Sequence, residues 1–235
     1  MLGALFALAL SRCAVPNGSM ARPVAPAAKE AMLISGGALV PLAHASHSDV
    51  NNTAISTADK RREVFVIPHA GVMQAFGQGA YAGVDLALWT SSFSTGEYGG
   101  GDVLAIFVNP YLEFPFGASQ RHLALTFDGG LGLLRTRTAS GNRKTTSIPF
   151  FSPTLGIRGY LPTGFGGIVL SQQIGSGLIT AAAPGSIAYD LPIPIAASTL
   201  HIFPELRWDP TWINDAPATL SWIILSGGLT FALEY

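Results

Sequence analysis

The chain has 235 residues, 49% hydrophobic and only 11% charged, with 27 glycines, 16 prolines and a formal net charge of −1. Soluble domains carry about 25% charged residues, and a net charge near zero sets up no field to gather nucleic acid or anionic lipid. Cys13 stands alone among the residues, so an intramolecular disulfide and a thiolate-built metal site are both excluded.

No apolar run after the N-terminus reaches the roughly 18 residues of a spanning helix, and glycine and proline are poor interior helix residues. Low charge without long apolar runs is the composition of a transmembrane barrel, in which lipid-facing and lumen-facing residues alternate and dilute each other. A soluble β-sandwich of similar glycine content would carry more surface charge.

Residues 2–10, LGALFALAL, form a short apolar stretch followed by small and polar residues. That is signal-peptide architecture, although the basic start is missing. Two readings stay open. Ser19-Met20-Ala21 and Ala25-Pro26-Ala27 are small-x-small cleavage sites. Alternatively Leu10-Ser11-Arg12-Cys13 resembles a lipoprotein box with Cys13 as the lipidation site, Arg12 being the departure from it. Residues 1–28 are thus expected to be a leader with a Pro/Ala-rich tether, and 29–235 the barrel.

From Lys29 onward strand-like segments alternate with turn chemistry. Segment 31–42 sends Met32, Ile34, Ala38 and Val40 outward, with Ser35 and Gly37 inward. The polar stretch 44–63 reads as a long loop. Segment 63–76 is apolar on both faces, and its register is not readable. Segment 80–91 sets Ala82, Val84, Leu86 and Leu88 against Tyr81, Gly83, Asp85 and Trp89. After a loop at 92–101, segment 102–116 sets Leu104, Ile106, Val108, Leu112 and Phe114 against Phe107, Asn109, Tyr111 and Glu113. Segment 121–137 sets Leu123, Leu125, Phe127, Leu131 and Leu133 against His122, Ala124, Thr126, Asp128, Gly130 and Gly132.

A charged loop, 138–146, leads to segment 147–161, with Phe151, Leu155 and Ile157 outward and Ser152, Thr154, Gly156 and Arg158 inward. Segment 165–176 opposes Ile168 and Leu170 to Ser171 and Gln173. Residues 177–186 read as loop. Segment 187–196 is the weakest strand, because Pro192 and Pro194 each remove a ladder donor. Segment 199–208 opposes Leu200, Ile202, Leu206 and Trp208 to His201, Phe203, Glu205 and Arg207. Residues 209–218 read as loop before the last strand.

That count is ten, with connections running long, short, long, short to the end. Even strand numbers with short turns at one rim and longer loops at the other describe outer-membrane barrels. An eight-strand count drops 31–42 and merges 187–208, and it spoils the alternation. The expected fold is therefore all-β: an antiparallel up-and-down transmembrane barrel of ten strands, eight being the alternative. Within lipid an unpaired backbone group costs several kcal/mol, so the sheet must close.

The last 17 residues, Thr219 to Tyr235, are far longer than the roughly 5–6 of ordinary strands. Leu229, Phe231, Leu233 and the terminal Tyr235 share one face. This strand resembles the assembly signal of bacterial outer-membrane β-barrel proteins as a general class. The resemblance implies recognition by the barrel-assembly machinery, a bacterial outer-membrane location with both termini in the periplasm, and outer-membrane lipid as the surrounding partner. It implies no particular family. Trp89, Tyr98, Trp208, Trp212 and Trp222 fall near the loop ends of their hairpins, and Phe116, Phe231 and Tyr235 near the turns, as two interfacial girdles require.

The inward positions form a polar set of both signs: Asp85, Glu113, Asp128, Glu205 and Glu234 against Arg158 and Arg207, with His122, His201, Asn109 and Gln173. Buried charges pair and hydrogen-bond. A structural plug and a lining that selects small solutes are the two readings. Catalysis has one candidate, the run His44, Ser46, His47, Ser48 and Asp49, where a histidine, an acid and a hydroxyl could build a hydrolytic site. Those residues sit together on an expected loop, which is ordinary loop composition. His201 and Glu205 share a face without a hydroxyl nucleophile beside them. No ligand spacing suggests a metal, and the glycine-rich 96–102 lacks the lysine and helix of a phosphate loop. The expectation is a small non-enzymatic barrel, structural or binding through extracellular loops, without cofactor. A narrow solute pore and a membrane-embedded hydrolase of lipid or peptide are the alternatives.

Overall fold

The computed structural model describes residues 31–50, 53–57, 66–76, 80–94, 100–116, 123–128, 131–138, 145–151, 153–176, 180–215 and 218–235. Expectations about the leader, Cys13 and His122 lie outside these residues. The described residues form fourteen strand segments and no helix. In order they are β1 (Met32–Val50), β2 (Thr53–Thr57), β3 (Ile67–Phe76), β4 (Ala80–Ser94), β5 (Gly100–Pro115), β6 (Leu123–Asp128) and β7 (Leu131–Thr138). Then follow β8 (Thr145–Phe151), β9 (Thr154–Thr163), β10 (Gly166–Ser176), β11 (Thr180–Ala182), β12 (Gly185–Ile195), β13 (Ser198–Asp215) and β14 (Ala218–Glu234).

Every pairing is antiparallel, and each span pairs with its neighbours in the chain. The ring closes where β1 meets β14, with Leu33 opposite Glu234 at one end and Val50 opposite Ala218 at the other. Closure through the wall pairs the first span with the last, as lipid demands; toward the loop end, among the described residues, β2 pairs with β1 alone and β8 with β7 alone.

Fourteen segments make ten spans, because β2–β3, β6–β7, β8–β9 and β11–β12 are each one crossing with a break. The register proves it for three of them. β6 and β7 pair with β5 in a single register, Tyr111 with Asp128 and Val108 with Leu131. The same holds for β6–β9 and β7–β8, and for β11 and β12 against β13. The ten-strand count therefore stands over eight.

A proline lies at the described interruption: Pro210 pairs with Ile223 on one side, and the 183–184 break faces it on the other. A proline has no N–H to give its neighbour, so a ladder loses a rung there. At the Pro210 break the Ala183 amide donates to the Pro210 carbonyl at 3.1 Å, which recovers one bond. A β-bulge at Leu42 shifts β1 by one residue against β14, between Pro41 and Ala43.

Three expected loops are corrected. Residues 44–50 and 53–57 of the polar stretch are strand, as are Asp209–Asp215 and Thr180–Ala182. Polarity suggested loop, but once a hairpin register is set, two strands can go on pairing through residues of either polarity, because the ladder is made by the backbone. Pro192 and Pro194 do not break β12, which runs through both in register with His201 and Thr199. Two tight turns, at 164–165 and 196–197, sit within a residue of where turn chemistry put them. In the second, Ala196 takes a left-handed φ of 51°, a conformation more costly for alanine than for glycine.

Burial alternates through the mid-wall of the crossings whose side chains are described, while the short-turn ends of β9 and β12 are exposed on both faces. Segment β3, whose register the sequence left open, buries Ile67, His69, Met73 and Ala75 and exposes the residues between them, apart from a half-buried Gly71. The outer face carries Met32, Ile34, Leu86, Leu88, Ile106, Leu112, Phe127, Ile157 and Leu229, all exposed. A monomer in water rarely shows contiguous apolar patches beyond a few hundred Å². Hydrocarbon is the solvent such a belt fits.

Candidate functional site

The chemistry of the molecule is in its lumen. Alternation turns one side chain in two of each strand inward, so ten strands converge on one narrow interior. Of the residues assigned inward from sequence, Asp85, Asn109, Glu113, Asp128, Arg158, Gln173, His201, Glu205, Arg207 and Glu234 are all buried. The structure adds His69, Asp190 and Asp209 to them.

These groups fall into linked clusters. At the short-turn end His201 lies between two acids, Nδ1 2.8 Å from Asp190 and Nε2 3.1 Å from Glu234. Each ring nitrogen thus has a carboxylate oxygen within hydrogen-bond distance. The cluster ties β12, β13 and β14 together beside the closing seam. Phe203 stacks on the ring at 5.9 Å and 8°.

Deeper in, an Arg158 guanidinium nitrogen donates to Glu113, joining β9 to β5. Both residues are 0% exposed. Further toward the loop end, Asp128 accepts from the Asn109 amide at 3.0 Å and from the Gln173 amide. Gln173 in turn accepts from Thr154 at 3.2 Å. On β13, Arg207 grips Asp209 two residues on, its Nε 2.8 and 3.0 Å from the two carboxylate oxygens and its Nη2 2.6 Å from one of them. Thr230 Oγ1 lies 3.1 Å from His69 Nε2, and Ser171 and Ser186 hydroxyls meet at 3.1 Å.

Size matching makes room for this. Gly37 faces His69, Gly71 faces Asp85, Gly83 faces Tyr111 and Gly156 faces Gln173, each pair directly across a ladder. A Cβ at Gly37 would fall 2.9 Å from the His69 ring nitrogen. At Gly71, Gly83 and Gly156 it would overlap the Asp85, Tyr111 and Gln173 side chains outright. The large inward side chain of one strand thus lies flat over the glycine of the next. Tyr81, Phe107, Phe203, Leu33 and Met73 fill the remaining interior.

Seven acids, two arginines and two histidines are buried among the described residues. Glu113 lies against Arg158, Asp209 against Arg207, and Asp190 and Glu234 against His201, the kind of pairing a low-dielectric interior calls for. No group of three or more histidine, cysteine, aspartate or glutamate side chains that could hold a metal occurs among the described residues. The run His44 to Asp49 lies in β1, with His47 opposite Ser221 and Ser56, and not on a loop. Sequence reading missed three residues for identifiable reasons. His69 sat in the unregistered segment, Asp190 in the proline-weakened one, and Asp209 in an expected loop. Counting two onward from Arg207 would have found Asp209.

The assembly-signal residues take the other face. Leu229, Phe231 and Tyr235 are exposed and Leu233 half-buried on the outer wall. Of the aromatics expected at the loop-end girdle, the side chains of Trp89, Trp212 and Trp222, and Tyr98 altogether, lie outside the described residues, and Trp208 is half-buried.

Apolar wall, closed ring and polar filled interior together define an all-β transmembrane barrel of ten antiparallel strands. No protein-family model matches the chain, and no curated protein matches it. Solved structures similar to it include Ail, the attachment invasion locus protein of Yersinia pestis, at 11% identity and a TM-score of 0.42 over 86% of this chain and 99% of that one. The β-domain of the Bordetella autotransporter BrkA is similar at 14% identity and a TM-score of 0.43, over 88% of this chain and 99% of that one. The translocator domain of the autotransporter NalP from Neisseria meningitidis matches at 10% identity and a TM-score of 0.45, over 100% of this chain and 94% of that one. These neighbours are bacterial outer-membrane β-barrels, and the likeness concerns the fold.

Proposed function

We propose that the protein is a plugged, non-conducting barrel of the bacterial outer membrane, without enzymatic activity, which works through what its long strands present outside the cell. The supporting observation is the interior. Arg158 and Glu113 are 0% exposed, and Tyr81, Phe107 and Phe203 are fully buried as well. Around eight strands side chains just fill the lumen, and 16–18 leave a channel; ten lie close to the filled limit. Planar-bilayer recording tests this reading. No unitary steps are expected, and clear ion-selective steps would overturn it.

The binding part of the proposal rests on strand length. About 9–11 tilted residues cross a bilayer, whereas β1 has 19, β13 has 18 and β14 has 17. The excess continues at the loop end. In the proposed orientation that end is extracellular, and the short turns and both termini are periplasmic. An epitope placed between Asp215 and Ala218 is expected to label on intact cells, and one at Ala196-Ala197 only after the outer membrane is opened. The reverse pattern would invert the orientation.

The outward row of Leu229, Phe231, Leu233 and Tyr235 is the proposed signal to the barrel-assembly machinery. Deleting Tyr235 is expected to impair membrane assembly far more than deleting one loop residue. Unimpaired assembly would remove that role.

A further inference from the structure

The seam between β12 and β13 is interrupted in mid-wall. Ladder pairs join Gly185–Ala188 to Trp208–Glu205 and Leu191–Ile195 to Ile202–Ser198. No pair joins Tyr189 or Asp190 to β13, and the residues across from them are Pro204 and Phe203. Pro204 still pairs with Leu229 on its other side, so β13 stays in the sheet. Its ring and missing N–H hold β12 off on one side only.

A groove of about 470 Å³ lies at this interruption. Its walls are Ile168, Ile187 and Leu206, all on the outer face. Its floor reaches Ala188, Glu205 and Gly228, which belong to the inward-facing set. The groove is open toward the lipid-facing side. That volume lies within the roughly 300–1,000 Å³ of small-molecule sites. It is continuous with the lipid-facing belt through Leu170, Ile187, Leu206 and Leu229. At this depth the wall meets hydrocarbon, and an unfilled groove forfeits dispersion contacts along its lining.

We propose that the slot at Pro204 is a binding site for one acyl chain of a membrane lipid, held in place longer than the chains sliding past the rest of the wall. The site does not depend on whether the lumen conducts. Directly across the barrel, the β4–β5 seam is fully paired, with Leu86 opposite Val108. Both are as lipid-exposed as Ile187 and Leu206, and they supply an internal control.

The test uses the full protein in nanodiscs containing a phospholipid with a photoactivatable group in its acyl chain. Crosslinks are mapped by mass spectrometry. Labelling is expected to be several-fold higher at Ile187, Tyr189 and Leu206 than at Leu86 and Val108. Pro204→Val restores a ladder donor, and Ile187→Trp fills the slot; each is expected to lower labelling to the control level. Leu86→Trp is expected to leave it unchanged. Heat-modifiable migration certifies that each variant is folded, and Ile187→Trp carries the test alone if Pro204→Val does not assemble. Uniform labelling of the belt, enrichment that survives both substitutions, or crosslinks from Leu206 to a second copy of the chain in place of lipid would each overturn the proposal.

Discussion

On β14, Leu229 and Phe231 are 41% and 43% exposed, while Thr230 between them is 0% exposed. One strand thus serves two solvents that share a 2-residue alternation. The outer face needs only to be apolar. Away from the slot at Pro204, lipid chains adapt to any apolar contour, so its residues are interchangeable in kind. The inner face is particular. Arg158 must find Glu113, His201 must find both Asp190 and Glu234, and Gly83 must yield to Tyr111. A misplaced inner residue leaves a buried charge or a collision, whereas a misplaced outer one leaves a slightly different grease. The comparison predicts that inner substitutions fail by lost partners and outer ones only by polarity.

The largest effect is expected inside. Arg158→Ala removes the cation beside the buried Glu113, a loss of about 3–5 kcal/mol. Replacing the pair together, Arg158→Met with Glu113→Leu, is expected to recover most of it. Urea unfolding in lipid vesicles measures both. Equal losses in the single and double variants would show that the pair is held by packing alone.

On the outer wall the matching experiment is polarity at mid-belt. Leu86→Arg is expected to cost about 2–4 kcal/mol, and Leu86→Phe close to nothing by the same measurement. A comparable loss from phenylalanine would mean that the outer face is as particular as the inner one.

A smaller inner effect is expected at the short-turn end. His201→Ala removes hydrogen bonds to two carboxylates, each worth about 1.5–3 kcal/mol when a charged group takes part. Asp190, His201 and Glu234 keep 4%, 7% and 8% exposure where Arg158 and Glu113 have 0%, so water reaches the space left more readily and the loss should stay below that of Arg158→Ala. Midpoint shifts ranked in the opposite order would place the main clamp of the barrel at His201. Least of all, Thr230→Val removes one contact to His69 and is expected to cost about 1 kcal/mol. No measurable shift would mean that packing alone holds the His69 ring.

Legibility followed the same division. The outer and inner rows of β5, β6 and β14 were readable because strict alternation needs only neighbours in sequence. Where alternation failed, so did the reading. Segment 63–76 has an apolar residue at nearly every position, and only pairing with β1 and β4 decides that His69 and Met73 turn inward. Pro192 and Pro194 argued against a strand that β13 nonetheless holds in register. Asp209 looked like the start of a loop, yet β14 keeps its partner extended as far as Asp215.

By itself the sequence determined the class. Low charge, absent spanning helices and ten strand-like segments, most of them alternating, leave a membrane barrel as the solution, because only a closed sheet satisfies its backbone in lipid. Only the tertiary structure decided who meets whom across the lumen. Strands far apart in the chain bring Arg158 to Glu113, 45 residues apart, and Thr230 to His69, 161 apart. The physical reason is shear: the side-chain period sets the face of each residue, but the stagger between neighbouring strands sets its height, and no local pattern encodes that.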